Sequence, residues 1–121
     1  MSAAAALLIL AAASAPPTAL QCPAIEGQTL VYVDIYDGLP EKEADLAPDE
    51  QKTRTGAATN IWRLAAGPDG LYVKCGYGSK LEGPYSRLET IRLPDTAKSC
   101  QADFNTGPRP SDLTLTRFSC R

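Results

Sequence analysis

The chain has 121 residues, a formal net charge of −2 and no histidine. That length makes one domain, small enough for crosslinks to matter to its stability. Without histidine the commonest general base, the commonest zinc ligand and every Ser-His or Cys-His nucleophile pair are excluded, and an acidic pI near 5.0 disfavours a nucleic-acid binder.

Residues 3–13 are all Ala, Leu or Ile. The run has the length of a secretory h-region and falls short of the ~20 apolar residues that span a bilayer. It reads as a signal peptide over residues 1–20, cut near Ala19 or Leu20, with residues 21–121 as the mature domain. No Lys or Arg precedes the run, unlike the usual positive n-region, which casts doubt on the assigned start more than on export. A lipid anchor on Cys22 would need a small residue before it, and Gln21 is large and polar. No later stretch is apolar enough to span a membrane, so the expected location is the periplasm or the medium.

Beyond the leader the hydrophobic period is two, in short runs of β-branched and aromatic residues separated by Gly, Pro, Asp and Asn. Thr29 to Tyr36 is the clearest strand, with Val31, Val33 and Ile35 on one face and Leu30, Tyr32, Asp34 and Tyr36 on the other. Asp37-Gly38-Leu39-Pro40 stops it, Gly38 supplying a positive φ, and Pro40 to Leu46 predicts one or two helical turns that end before Pro48. Residues 49–59 are polar and aperiodic, and read as a loop. Asn60 to Ala65 and Leu71 to Tyr77 flank Ala66-Gly67-Pro68-Asp69-Gly70, which has the composition of a hairpin turn. Leu88 to Leu93, Cys100 to Phe104 and Leu113 to Cys120 supply three more strands. In the last, Leu113 and Leu115 differ in parity from Phe118 and Cys120, which predicts a bulge near Thr116 or Arg117. The expected fold is mostly β, a small antiparallel sandwich or barrel of about six strands with one short helix.

Cys22, Cys75, Cys100 and Cys120 make an even count in a short exported chain, which reads as two disulfides. Their spacings of 53, 25 and 20 residues contain no C-x-x-C knuckle, so a zinc site is disfavoured. Three connectivities are open; the expected one joins Cys75 to Cys100 within the sheet and Cys22 to Cys120 across the two ends.

Charge is divided unevenly. Residues 1–50 carry one base, Lys42, against eight acids, whereas residues 51–121 carry eleven bases against six acids. Asp37, Glu41, Glu43, Asp45 and Asp49 are the candidate binding residues within the acidic stretch, which would attract a cationic protein partner. A solvated helix and loop would give the same charge run without any ligand, and this is the favoured reading of it. Asp34 and Asp37 lack the alternating ligand spacing of a calcium loop, no metal or other cofactor is expected, and the basic residues are scattered singly along strands.

The order Cys22-Pro23, Tyr36-Asp37-Gly38-Leu39-Pro40-Glu41, Leu46-Ala47-Pro48-Asp49, Trp62-Arg63-Leu64, Cys75-Gly76-Tyr77, Cys100 and Cys120 resembles a family of small exported bacterial proteins known by an enterobacterial locus tag. The resemblance implies export and disulfides, and transfers no activity and no site. The leading expectation is a non-catalytic exported β domain that binds a protein partner through exposed loops. Its specific version is a lysozyme inhibitor, by analogy of size and fold class alone. The Ser-Gly-x-x-Tyr loop of c-type inhibitors is missing, and Gly78-Ser79-Lys80 and Gly83-Pro84-Tyr85 do not replace it. A structural or envelope-stress protein is the alternative, and a carbohydrate-active enzyme working through Asp37 and Glu41 stands below both.

Overall fold

Alternation along the first apolar run produces β1 (Leu30–Asp37), in which Val31, Val33 and Ile35 are buried while Tyr32, Asp34 and Tyr36 face the other way. The computed structural model describes residues 16–109 and 111–121, so most of the expected leader lies outside the described residues. After β1 comes a single 3-10 turn, Pro40–Lys42, followed by β2 (Glu50–Arg54), β3 (Ala57–Arg63), β4 (Leu71–Gly78), β5 (Tyr85–Arg92), β6 (Ser99–Thr106) and β7 (Leu113–Cys120). The helical turns do not reach Leu46. Glu43 takes a left-handed conformation at φ 57°, and the chain doubles back so that the Leu46 N–H donates to the Ile35 carbonyl at 2.7 Å.

The strands form two antiparallel sheets, ordered β1-β4-β5 and β2-β3-β6-β7. Their inner faces share one core, with Ile35, Val73, Cys75, Tyr77, Ile91 and Leu93 from the first side and Trp62, Cys100, Ala102, Phe104, Leu115 and Phe118 from the second. The mostly β class expected from the sequence is therefore the one observed, with seven strands in place of six. The added strand is β2, which falls in the stretch read as a loop. It is an edge strand, and Gln51 to Arg54 are exposed, so no apolar alternation marks it. Gly56, at φ 78°, closes the tight turn into β3, and a Cβ there would meet nothing within 4 Å; only the backbone conformation calls for glycine.

Residues 60–77 do not form a hairpin. β3 pairs with β2 and β6, β4 pairs with β1 and β5, and residues 64–70 carry the chain from one sheet to the other. Trp62 and Leu71 do face the core as expected, but from different sheets. The bulge in β7 is present at the expected place. Asp103 pairs with Arg117 and Phe104 with Leu115, leaving Thr116 as the extra residue, so that Leu115, Phe118 and Cys120 all turn inward.

All four cysteines are oxidised, but the pairing is Cys22–Cys75 and Cys100–Cys120, which corrects the expected one. Antiparallel register sets the second bond: Cys100 and Cys120 stand opposite each other on β6 and β7, with Cα atoms 4.0 Å apart. Cys75 lies on the other sheet, where the N-terminal segment reaches it. That segment is a strap. Arg92 N–H donates to the Pro17 carbonyl, Ala19 N–H to the Arg92 carbonyl, Cys120 N–H to the Leu20 carbonyl and the Tyr77 hydroxyl to the Pro23 carbonyl. The two ends do meet, through a main-chain hydrogen bond at Leu20 and Cys120 and not through sulfur. With its Sγ bonded to Cys75, Cys22 has no thiol left to carry a thioether-linked lipid.

Candidate functional site

The outward side of the β1-β4-β5 sheet collects four of the five tyrosines. Register places Tyr32 beside Gly76, Asp34 beside Lys74 and Tyr36 beside Tyr72 across β1 and β4, and Gly76 beside Leu88 across β4 and β5. Glycine at 76 is what lets the rings close over the sheet, since a Cβ there would stand 3.1 Å from Tyr32 Cβ and 3.1 Å from Tyr85 Cδ1. Tyr32 and Tyr85 meet above it with ring centroids 5.2 Å apart, and the Tyr85 hydroxyl donates to the Leu81 carbonyl, which fixes that ring. Leu88, alongside, is 50% exposed. The fifth tyrosine, Tyr77, is a core residue.

At the β1 edge of this face, Asp34 sits half-buried among tyrosines. Its Oδ1 accepts the Ile35 N–H at 2.9 Å and its Oδ2 the Tyr32 hydroxyl at 3.3 Å, with the Tyr36 hydroxyl close to both side chains. Desolvation pushes the Asp34 carboxyl above its ordinary pKa, and the nearby Asp45 carboxylate adds to the rise, against the lowering effect of the Ile35 N–H and the hydroxyls. Burial pushes the Tyr32 hydroxyl up, helped by its hydrogen bond with Tyr36 and then by the Asp34 charge; burial also raises Tyr36, with the Asp34 charge adding to the rise against the lowering effect of the Tyr32 hydroxyl. Among the described residues, none of the five ion pairs includes Asp34 or Asp45.

This arrangement has a thermodynamic signature. An Asp whose folded pKa lies above its unfolded one binds more protons in the folded state between those two values, so stability falls as pH rises through that window. Above the window the charged form opposes folding. Asp34→Asn is therefore expected to raise the thermal midpoint at about pH 7, with the advantage shrinking as pH is lowered toward about 4. Thermal unfolding of both proteins across that range measures it, and a variant less stable at neutral pH would count against the account. The groups facing Asp34 are Tyr32, Tyr36 and Asp45, with Lys74 its cross-strand neighbour.

The acids singled out from the sequence are spread around this site. Asp45 bridges to Tyr36 and comes beside Asp34. Asp37 ends β1, its carboxylate lying against Gly67, where a Cβ would be 3.2 Å from Oδ1. Glu41 and Glu43 are exposed at the 3-10 turn, next to the Lys42–Asp69 ion pair. Asp49 turns to the other sheet and accepts the Arg63 N–H at 2.6 Å, while Glu50 pairs with the Arg63 guanidinium at 2.8 Å. Of the five candidates only Asp45 joins Asp34. Sequence reasoning placed Tyr32, Asp34 and Tyr36 on one face but gave no signal for Tyr85 and Leu88, which arrive through the register of β5.

Among the described residues no group of three or more His, Cys, Asp or Glu side chains is placed to hold a metal ion, and no helix is long and apolar enough to cross a membrane. Fold and face define a small, disulfide-stapled two-sheet β domain that offers an aromatic surface around one desolvated carboxylate. The chain belongs to the type VI secretion system Tli immunity protein family, whose model matches residues 24–121. No match was found among curated proteins or among solved structures.

Proposed function

We propose that this chain is exported, with residues 1–20 as its leader, and that in the periplasm it binds and neutralises a protein toxin of the type VI secretion system without catalysing any reaction itself. The family match over residues 24–121 carries this reading. Two oxidised cysteine pairs support an oxidising compartment. A tyrosine-rich sheet face with an exposed leucine supports protein docking, because Tyr supplies large amphipathic contact area at low entropic cost. The scheme is that of the lysozyme inhibitors considered from the sequence, a small β domain that plugs an enzyme; the family description changes the partner to a toxin of the secretion system.

Competition between siblings tests it even while the toxin is unidentified. Cells lacking this chain are expected to be killed by parental cells with an active type VI apparatus and to survive those whose apparatus is disabled. The full chain is expected to restore survival, and a version without residues 2–15, which keeps Pro17, Ala19 and Leu20, is not. Equal survival of cells with and without the chain would refute the proposal.

A further inference from the structure

We infer that the outward face of the β1-β4-β5 sheet is the toxin-docking surface, and that it seats a lysine or arginine of the toxin on Asp34 between Tyr32 and Tyr36. This rests on the immunity reading above and adds the surface and the chemistry it recognises. A carboxylate offers about four lone-pair sites; Asp34 uses one for the Ile35 N–H, one for a long contact to the Tyr32 hydroxyl and one towards the Tyr36 hydroxyl, which leaves a site for a cation. Its cross-strand neighbour Lys74 makes no ion pair with it, and Asp45, brought in by a separate segment, adds a second unpaired negative charge.

The surroundings suit a cation better than water. Tyr32 and Tyr36 bring their hydroxyls to Asp34, an aromatic ring face attracts an ammonium or guanidinium laid over it, and Asp34 is already partly desolvated. A basic side chain placed there would gain charge-assisted hydrogen bonds to a carboxylate whose desolvation cost is already met in the free protein. Leu88, two strands across on the same face beyond Tyr32 and Gly76, adds exposed apolar surface to this docking face. Lys74 and Arg92 lie on the same side nearer the sheet centre and β5, so the surface is graded from acidic to basic and would orient a partner of opposite gradient.

Two arms test the inference. In sibling competition, Asp34→Lys is expected to lower survival to that of cells without the chain and Asp34→Asn to lower it partly, while Glu26→Gln, an exposed acid on the N-terminal segment, protects fully. Immunoblotting and thermal unfolding establish that each variant is present and folded. In the second arm, acetyl-arginine amide is titrated into the purified protein and the Asp34 carboxyl and tyrosine ring resonances are followed by NMR. Saturable shifts at Asp34, Tyr32 and Tyr36 are expected, with binding about tenfold weaker in Asp34→Asn. Full protection by Asp34→Lys, or a probe response that Asp34→Asn leaves unchanged, overturns the inference. So does a wild-type dimer that Asp34→Lys dissolves, which would assign the face to self-association. If the wild type itself fails to protect, the immunity reading falls, and the arginine titration still decides whether the face is a cation site.

Discussion

Replacing Cys22 and Cys75 together by alanine is expected to cost about 4 kcal/mol of folding stability, and replacing Cys100 and Cys120 about 3 kcal/mol. The difference follows from the loops closed, which span 53 and 20 residues. The first bond also does what the second does not. Cys100 and Cys120 already face each other across the β6–β7 ladder, whereas residues 21–25, next after the leader, belong to no strand and are held by the Tyr77 hydroxyl at the Pro23 carbonyl. Without Cys22–Cys75 the segment that follows the leader should fray before the sandwich unfolds, so the Gln28 amide, which donates to the Ile25 carbonyl, should lose hydrogen-exchange protection ahead of the core strands. Urea unfolding under non-reducing conditions gives the energies, and peptide mapping of the unreduced protein gives the pairing. Larger destabilisation from the β6–β7 pair, or a peptide linking Cys75 to Cys100, would contradict the structure. A loss of about 4 kcal/mol is a large share of the 5–15 kcal/mol that a domain of this kind commands.

Misreading the cysteines and misreading residues 60–77 have one cause. Periodicity reports which side chains share a face of a strand and says nothing about which strand lies next to it. Val31, Val33 and Ile35 announced β1, and the parity change between Leu115 and Phe118 announced the β7 bulge, because both are properties of a single segment. Gly67-Pro68-Asp69-Gly70 announces a turn equally well whether the next strand returns beside the last or crosses the core to the opposite sheet. Here it crosses, so Trp62 and Leu71 face the shared core from opposite sheets and are not ladder neighbours. β2 was invisible for the opposite reason: the four-stranded sheet outreaches the three-stranded one, and an edge strand with solvent on both sides needs no apolar residues. The docking face was half legible. Tyr32, Asp34 and Tyr36 could be grouped from β1 alone; Gly76, Tyr85 and Leu88 join them only once β4 is known to pair with β1 and β5, and once the irregularity between Tyr77 and Gly78 swings Tyr85 over Gly76.

Trp62 links that face to the rest of the molecule, and Trp62→Ala is expected to destabilise by about 3–5 kcal/mol. The side chain is 4% exposed, stands opposite Cys100 in the β3–β6 ladder, and donates its indole N–H to the Leu46 carbonyl at 2.9 Å. That hydrogen bond anchors the crossing segment between its two flanking contacts, Leu46 N–H to the Ile35 carbonyl and Asp49 N–H to the Ile61 carbonyl. Asp45, which lies beside Asp34 and Tyr36, is carried on the same segment. Trp62→Phe separates the two contributions. It keeps most of the buried ring and removes the donor, so it should cost about 1 kcal/mol globally while the Leu46 and Asp49 amides exchange faster than those of β3 and β6. Denaturant midpoints with an unchanged slope would show that only stability has moved. If Trp62→Phe costs as much as Trp62→Ala, ring volume is not what the site requires and the indole donor dominates. If instead the Leu46 amide keeps its protection in Trp62→Phe, the segment is held by its main-chain bonds alone, and Asp45 owes its place beside Asp34 to β1.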